Sequence, residues 1–405
     1  MTGLGVSVYP ELRPLDEIGD HLALAASHGF TRVFSSMFSM PGTPSEVLAT
    51  FASLNEAAHK YGMEVSLDID PGCVERLGAT PAKLDVFANI GADILRMDGA
   101  YSEDDNLRML ENPFGIRIEY NASALDPQSI ESLVARGAPR DRILACHNFY
   151  PQRYTGYPWN KFCKVNERLA KTGVRIGAFM ASHAPNTHGV WDATCGLPTV
   201  ERLRDYPAHL QARVLAGAGT TDVIFGNAYA SEAEMETVRQ ALAPVEPHYV
   251  SERHRAMVGE YGSYSGHDLN LLNQKKVLVQ PIDGLTQVER AILFDFFPHV
   301  DMGDSSEWIW RSRMPRAFFG SEAIAPRPHN ADHFDPGDVV MVNDNYKHYA
   351  GEVQVVLLPI ANDGTRNLVG RIDSQEMTMF DVIADGDVVV FCPTGKRGLA
   401  PFLTG

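Results

Sequence analysis

The sequence predicts an α/β protein that begins with a (β/α)8 TIM barrel and continues into a smaller, mostly β domain. Three observations lead to this prediction. Eight short, β-rich apolar segments occur in the first 230 residues, and each ends in polar, aromatic or carboxylate side chains. A helical pattern lies between successive segments, and beyond residue 246 the pattern changes to short β segments. Eight βα units in roughly 250 residues are typical of a TIM barrel.

The predicted strands follow one another at intervals that suit βα units. They span residues 4–11, 31–38, 64–71, 94–99, 117–123, 142–151, 175–183 and 222–229. The last interval is the longest, and its extra length falls in residues 182–198, which are rich in Gly, Pro, Asn, Thr and His and lack a helical period. Active sites of such barrels form at the carboxyl ends of the strands, so we expect this loop to close over a substrate.

Helix start and stop signals support the count of units. Residues 43–46 (TPSE) form a capping box with proline at the first helical position. Residues 126–127 (DP) repeat the device, and residues 231–234 (SEAE) form another capping box directly after the eighth strand. The first predicted helix covers residues 15–27 and stops before Gly29, which suits the left-handed position after a helix.

The length of 405 residues predicts two domains. We expect the barrel in residues 1–245 and a second domain in residues 246–405 that includes a connecting segment. Residues 338–360 read as two β runs around a polar turn, and further short strands follow in residues 367–393. Residues 247–330 show weaker periodicity. We therefore predict that the second domain is a small, mostly β structure with a barrel architecture.

Composition argues against several classes of partner. The net charge is −16, from 51 acidic and 35 basic residues, and basic runs do not occur, so we expect neither a nucleic-acid nor a membrane partner. The start lacks the basic and apolar pattern of a leader, which favours a cytoplasmic protein. The sequence is compatible with a homo-oligomer. Nucleotide-binding glycine motifs are missing from the strand ends, so no cofactor is expected.

Five scattered cysteines without a CxxC pair indicate reduced thiols rather than a disulfide framework. Cys146 lies inside the sixth predicted strand, where core packing is the expected role.

Carboxylates end three successive strands. Asp68, Asp98 and Glu119 follow or complete strands three, four and five. Neighbouring parallel strands lie about 4.8 Å apart, which suits the short carboxylate separation of a retaining glycosidase, whereas carboxylates two strands apart approach the wider inverting separation. The sequence leaves both open. A glutamate inside a strand is buried unless the barrel mouth needs it, so Glu119 is our first choice for an essential group.

Polar and aromatic side chains at the other strand ends suit sugar binding. Alternation places Arg96 on one face with Asp98 and places Asn121 with Glu119. The sixth strand ends in a group that can hydrogen-bond and stack on a sugar ring, namely His147, Asn148 and Tyr150.

A phosphate site is expected at strands seven and eight. The loops after these strands and a following helix start form the usual phosphate site of TIM barrels, because free N–H groups there favour an anion. His183 ends strand seven, and Asn227 with the Ser231 helix start lies after strand eight. Arg311 or Arg316 from the second domain is expected to complete this site.

Two other functions remain open on the residues alone. A metal-dependent sugar-phosphate isomerase or epimerase would use His147, His183 and His188 with Asp68, Asp98 and Glu119 as ligands. The first strand lacks an HxH pair, and no close metal-ligand spacing occurs elsewhere, which disfavours this hypothesis. A barrel that binds a phospho-sugar without turnover is the non-enzymatic alternative.

Several long segments resemble one known family. They are YPE at 9–11, RMDG at 96–99, NPFGIRIEYNAS at 112–123, CHNFYPQRYTGYPW at 146–159, SHAPNTHGVWD at 182–192 and DVIFGNAYASEAE at 222–234. They are similar to the bacterial 6-phospho-N-acetylmuramidases, the MupG-like proteins. The resemblance implies a TIM barrel with a cyclophilin-like β domain. It also implies cytoplasmic hydrolysis of 6-phospho-N-acetylmuramyl-β-1,4-N-acetylglucosamine in cell-wall recycling, with a small phospho-sugar as the substrate.

The resemblance also implies site residues. The matching motif positions are Asp68, Arg96, Asp98, Glu119, Asn121, His147, Asn148, Tyr150, His183, Trp191, Asp192 and Asn227. Asp70 does not match and is assigned no role. The chain has NTHGVWD where family members tend to carry a compact NIGPWD, and residues 193–195 (ATC) replace an acidic pair. Catalysis would then use two of the three carboxylates, one as acid and one as nucleophile or base.

Overall fold

The computed structural model describes residues 2–249, 251–265, 269–271 and 273–395. The chain divides into two compact units, of which the first covers residues 2–242 and the second begins at Ala243. Among the described residues, no helix combines the length and apolar character needed to cross a membrane.

The first unit is a closed barrel of eight parallel strands, which confirms the predicted TIM barrel. Each strand pairs with its neighbours in sequence order, and the last pairs with the first. The strands are β1 (Gly3–Ser7), β2 (Arg32–Ser36), β3 (Glu64–Ile69), β4 (Ile94–Met97), β5 (Arg117–Asn121), β6 (Ile143–Cys146), β7 (Arg175–Met180) and β8 (Asp222–Phe225).

Nine α-helices follow the strands of the barrel in the described chain. They are α1 (Leu15–Ser27), α2 (Pro44–His59), α3 (Pro71–Arg76), α4 (Asp85–Asn89), α5 (Glu103–Leu110), α6 (Pro127–Ala135), α7 (Trp159–Ala170), α8 (Ala208–Gly217) and α9 (Glu232–Leu242). Short 3-10 turns lie at Arg140–Arg142 and Glu201–Leu203.

The predicted helix starts are confirmed. Thr43 and Glu46 satisfy each other's backbone N–H groups at the start of α2. Asp126 accepts a hydrogen bond from the Gln128 N–H at the start of α6. These contacts occupy N–H groups that a helix cannot satisfy internally, so the caps define where the helices begin.

The amino-terminal half of the barrel interior is ionic rather than aliphatic. Side chains from five strands form a chain of ion pairs near the strand starts. The pairs are Arg117–Glu64, Arg175–Glu64, Arg175–Asp222 and Arg32–Glu119, with Arg32 and Asp222 at 3.9 Å. Hydrophobic side chains, including Phe34, Cys146 and Phe179, pack closer to the carboxyl ends. The core position predicted for Cys146 is confirmed.

The loop predicted at residues 182–198 is present, and it is attached to the end of β8. The Ala228 N–H donates to the His188 carbonyl at 2.8 Å. A side chain at position 226 would collide with the carbonyl oxygen of Leu197, so only Gly226 permits this close approach. The loop therefore lies on the carboxyl-terminal face of the barrel.

The second unit is mostly β, as predicted. Its elements are α10 (Glu252–Ser265), β9 (Gln274–Pro281), α11 (Gln287–Arg290), a π-helical turn (Ala291–Asp295), β10 (His299–Val300), β11 (Ile309–Ser312), α12 (Arg316–Phe319), β12 (His333–Phe334), β13 (Asp338–Val342), β14 (Val353–Val356), β15 (Ile360–Ala361), β16 (Arg366–Arg371) and β17 (Val388–Pro393). The main sheet has seven strands in the order β10-β17-β9-β16-β13-β14-β11, and β12 pairs with β15 separately.

One detail of the second-domain prediction was wrong. The sheet is open, since its end strands β10 and β11 do not pair within the described residues, so a closed barrel is not formed. The inner strand β9 also falls in the segment where the sequence shows only weak periodicity.

Candidate active site

Asp68 and Arg96 form an ion pair at the barrel mouth. They are register partners on β3 and β4, so their side chains share the inner face of the sheet. Arg96 Nη1 donates to Asp68 Oδ1 at 2.5 Å, and Asp68 is only 6% exposed. The carboxylate is thus held in one orientation close to the face where TIM barrels perform chemistry.

Asn148 and Asp98 extend this pair. The Arg96 guanidinium donates a second hydrogen bond to Asn148 Oδ1, so three strand ends meet at one cation. Asp98 follows β4 and is exposed, and its N–H donates to the Ile69 carbonyl at 2.8 Å. Asp98 therefore stands beside Asp68 on the mouth of the barrel.

The environment of Asp68 suits acid–base chemistry near neutral pH. Burial raises the pKa of Asp68 to about 6, while the Arg96 charge opposes the rise and the charges of Asp98 and Glu119 add to it. A carboxylate with such a pKa is mostly ionised at pH 7 and accepts a proton readily.

Glu119 lies deeper in the barrel than these groups. Its carboxylate contacts the Arg32 guanidinium and accepts a hydrogen bond from Ser66 Oγ at 3.0 Å. Ser66 precedes Asp68 by two residues on the same face of β3, which corresponds to roughly 7 Å along the strand. Glu119 is 0% exposed, and both oxygens are engaged. The structure thus places the first-choice carboxylate in the interior ion-pair chain rather than at the mouth.

Comparison with known proteins matches both units to one family. Residues 4–240 match the model described as 6-phospho-N-acetylmuramidase, N-terminal, and residues 276–392 match 6-phospho-N-acetylmuramidase, C-terminal. The chain belongs to the 6-phospho-N-acetylmuramidase family. It is therefore an enzyme of the glycosidase class.

Solved structures with the same fold cover nearly the whole chain. An uncharacterized B. cereus protein is 30% identical, with a TM-score of 0.79 over 96% of this chain and 99% of that one. A conserved Enterococcus faecalis protein of unknown function is 23% identical, with a TM-score of 0.62 over 97% of both chains, and shows the fold alone. No protein with a curated description matches the chain.

Aromatic side chains surround the mouth of the barrel. Phe149 meets Phe179 edge to face, with ring centroids 5.2 Å apart. Tyr150 stacks on Tyr157 at 6.3 Å, and its N–H donates to the Pro198 carbonyl. Trp191, on the β7–α8 loop, is 54% exposed. An exposed indole on a mouth loop can stack on the apolar face of a sugar.

His147 points away from the mouth. Its side chain is fully buried, with Nε2 at 2.8 Å from Asn166 Oδ1 on α7 and Nδ1 at 3.2 Å from Ser123 Oγ. Burial lowers the pKa of His147 to about 4, so the ring is neutral. The alternation of β6 explains this position, because Cys146 and Asn148 face inward while His147 faces the helix. The sugar-binding role expected from the sequence is therefore not supported by this location.

The expected phosphate site at strands seven and eight is already filled by a carboxylate. Glu234 accepts hydrogen bonds from the Ser231 N–H and hydroxyl at 2.9 Å and from the His183 N–H at 2.7 Å. The Asn227 amide bonds both the N–H and the carbonyl of Ser182. These donors hold the loop and cap α9, so the helix start does not offer them to a phosphate.

Two further predicted residues make local turns. Asn121 Oδ1 accepts the Ser123 N–H at 3.0 Å, and Asp192 Oδ1 accepts the Thr194 N–H at 2.9 Å. Asp70, to which the sequence assigned no role, caps α3 by accepting the Cys73 N–H at 2.5 Å. Such contacts shape loops after a strand.

Arg311 is engaged within the second unit. It donates two hydrogen bonds, at 2.8 and 2.6 Å, to Glu352, which is fully buried. Arg316 lies 3.5 Å from the same carboxylate and 4.7 Å from the centre of the Tyr349 ring. A phosphate would have to compete with Glu352 for Arg311.

Glu11 is a mouth carboxylate that the sequence analysis did not select. It lies in the turn after β1, where Oε1 accepts a hydrogen bond from Ser39 Oγ at 2.8 Å. Oε2 is buried and lacks a hydrogen-bond partner in the described part of the chain. Its place in the YPE segment, two residues after the inward-facing Tyr9, was the available signal.

The histidines of the metal hypothesis are not gathered. His183 Nε2 lies 2.8 Å from the Arg204 carbonyl, and His147 faces α7. Within the ranges that the structure describes, no three histidine, cysteine, aspartate or glutamate side chains are grouped so as to hold a metal ion.

Proposed function

We propose that this enzyme hydrolyses the β-1,4 bond of 6-phospho-N-acetylmuramyl-N-acetylglucosamine, in the recycling of cell-wall fragments. The observation that carries the proposal is the Asp68–Arg96–Asn148 group at the mouth of the barrel, in a chain whose two units both match this family. A glycosidase needs two carboxyl groups, one that activates the attacking group and one that protonates the leaving oxygen.

Asp68 suits the first of these roles. Arg96 orients its carboxylate, and a pKa near 6 makes it a base that is ionised at neutral pH but still takes up a proton. In the reaction, Asp68 would accept the proton of a water molecule that attacks the anomeric carbon. Asp98, exposed on the neighbouring strand, would contact the sugar in the same pocket.

The sugar would be held between polar and aromatic groups. Asn148 and Tyr150 lie at the end of β6, and Trp191 offers an exposed ring on the β7–α8 loop. Arg13 and the Tyr229 hydroxyl are two groups near β8 that could contact the 6-phosphate. The Arg13 charge lowers the pKa of Tyr229 against the larger effect of burial, and the Tyr229 hydroxyl is buried without a partner among the described residues. We propose these two as phosphate contacts in place of Asn227 and Ser231.

The deciding experiment compares two substrates. The full-length protein is incubated with the phosphorylated disaccharide and with its unphosphorylated counterpart, and the products are followed by mass spectrometry. We expect release of N-acetylglucosamine from the phosphorylated disaccharide and much slower release from the other, because charge-assisted contacts to the phosphate supply binding energy. Equal rates on both compounds would contradict the phosphate specificity. Lack of release from either would contradict the proposed reaction.

A second experiment, with a chelator, distinguishes hydrolysis from metal-dependent isomerisation. We expect hydrolysis to continue after treatment with EDTA, because the proposed chemistry uses carboxyl groups alone. Loss of activity that Mn²⁺ restores would instead favour the isomerase or epimerase hypothesis.

A further inference from the structure

We infer that Glu11 is the general acid of this enzyme, the group that protonates the leaving oxygen while Asp68 activates water. The inference rests on the proposed hydrolysis and adds a catalytic residue to it. Three observations carry it: the place of Glu11 beside Asp68, the contrast between the environments of the two carboxylates, and the strand separation between them.

Glu11 and Asp68 lie on the same side of the barrel mouth. Ser39 Oγ donates to Glu11 at 2.8 Å and lies 3.1 Å from the Ser36 hydroxyl. Ser36 is the register partner of Asp68 on the adjacent strand. One short hydrogen-bonded path therefore leads from Glu11 to the neighbour of Asp68.

A buried tyrosine lies near both carboxylates. The Tyr9 hydroxyl donates to the Gly226 carbonyl at 2.5 Å inside the mouth. Burial raises the pKa of Tyr9, and the negative charges of Glu11 and Asp68 both add to that rise. Both charges therefore lie close enough to the Tyr9 hydroxyl to act on it.

The two carboxylates differ in the groups that surround them. Asp68 faces the Arg96 cation, which favours its ionised form. Glu11 accepts a hydrogen bond from a neutral hydroxyl, and within the described chain no cation contacts it. Burial raises the pKa of Glu11, while its own backbone N–H and Ser39 lower it less. A carboxyl group bonded to a neutral hydroxyl, beside a carboxylate held by a cation, is the pairing expected of a glycosidase acid and base.

The strand order separates the two groups. Glu11 lies in the turn after β1 and Asp68 is the penultimate residue of β3, with β2 between the two strands. The spacing of two strands is roughly 10 Å at the backbone, which is close to the wide separation that leaves room for a water molecule. The alternative donors fit less well, since Asp98 is on the adjacent strand and is exposed, and Glu119 is occupied by Arg32.

The step balances as a single displacement. The water oxygen bonds to the anomeric carbon as its proton passes to Asp68. The bond between the anomeric carbon and the leaving oxygen breaks, and its electron pair stays on that oxygen. The Glu11 carboxyl supplies the proton that completes the N-acetylglucosamine hydroxyl. Solvent then returns a proton to Glu11 and removes one from Asp68, so one water is consumed and both residues are restored.

The test uses Glu11→Gln in the full-length protein with two substrates of different proton demand. One is the phosphorylated disaccharide, and the other is the 2,4-dinitrophenyl glycoside of 6-phospho-N-acetylmuramic acid, whose leaving group needs no proton. We expect kcat/KM for the disaccharide to fall about 10²–10⁴-fold, with the dinitrophenyl glycoside within about tenfold of wild type. Glu56→Gln, at an exposed position on α2, is the matched control and should change neither.

A second variant and a pH profile complete the test. Glu11→Asp retains a carboxyl group and should retain the basic limb of the pH profile, which Glu11→Gln should lose. If kcat/KM fell equally for both substrates, or if Glu11→Gln kept the basic limb, the role of Glu11 as general acid would be overturned. The proposed hydrolysis would still stand. A wild-type protein that hydrolyses neither substrate would overturn the proposed function and, with it, this inference.

Discussion

Glu119 and Arg32 form an ion pair in which neither side chain is exposed to solvent. Arg32 has only one other carboxylate nearby, Asp222 at 3.9 Å, among the contacts that the structure describes. Removing the charge of Glu119 would therefore leave a buried guanidinium poorly compensated, and breaking a buried pair in this way is strongly destabilising.

We expect Glu119→Gln to lower the free energy of unfolding by about 3 kcal/mol, measured by urea titration. Glu131→Gln removes one partner of an exposed pair with Arg140 and should lower the free energy of unfolding far less. The Glu119→Gln protein that does fold should keep most of its kcat, since Asp68 and Arg96 stay in place. A large loss of kcat at unchanged stability would instead make Glu119 the essential group that the sequence suggested.

Asp68→Asn should affect activity more than stability, because burial raises the pKa of Asp68 and so already disfavours its charged form in the folded protein. Asparagine keeps the shape of the side chain but is not a base, so we expect kcat/KM for the phosphorylated disaccharide to fall about 10²–10⁴-fold. Thermal unfolding should show a folded protein, and mass spectrometry of the products gives the rate. Wild-type activity in this variant would remove Asp68 from the mechanism.

The pH profile should report the pKa of Asp68. Activity requires the ionised carboxylate, so kcat/KM should decline as the pH falls through about 6. Arg96 holds this pKa down, and removing its charge should therefore move the acidic limb to higher pH. Arg96→Met tests this shift, and Arg96→Lys, which keeps a positive charge, is the matched control. An acidic limb that stays in place in Arg96→Met would show that another group controls it.

Trp191→Ala should weaken substrate binding more than turnover. The exposed indole would cover one face of the sugar, and an aromatic contact of this kind is worth about tenfold in KM. Phe114→Ala is the control, because Phe114 is similarly exposed but precedes β5 and so lies at the opposite end of the barrel. KM values that remain equal for wild type and Trp191→Ala would contradict a stacking role.

The barrel could be predicted because the sequence patterns that define its strands and helices are local. Each strand is a short apolar run, and capping residues such as Thr43 and Ser231 fix the helix starts. In the second unit, β9 begins with two buried lysines, Lys275 and Lys276, which conceal its β pattern. Its place inside the sheet depends on pairing with β16 and β17, far away in sequence.

The site could be predicted only in part, because strand alternation gives a face but not a depth. Alternation placed Arg96 and Asp98 on one face, and in the structure Asp68 and Asn148 also meet at Arg96. It did not show that Glu119 lies level with Ser66 and Arg32, since that depends on the stagger between strands. The sequence predicted that the donors at Ser231 bind a phosphate. In the structure they donate to the carboxylate of Glu234, three residues later.

Two pairs of carboxylates at the mouth are candidates for the catalytic pair, and the stereochemical outcome of hydrolysis distinguishes between them. Glu11 and Asp68 lie two strands apart and leave room for water, so their use as acid and base predicts inversion at the anomeric carbon. Asp68 and Asp98 end adjacent strands, and a nucleophile and acid at that spacing would give retention. Proton NMR of a fresh reaction, recorded before the sugar mutarotates, identifies the first anomer of 6-phospho-N-acetylmuramic acid. We expect the α-anomer from the β-linked substrate. A β-anomer at the earliest times would assign the reaction to the adjacent pair and remove the geometric support for Glu11.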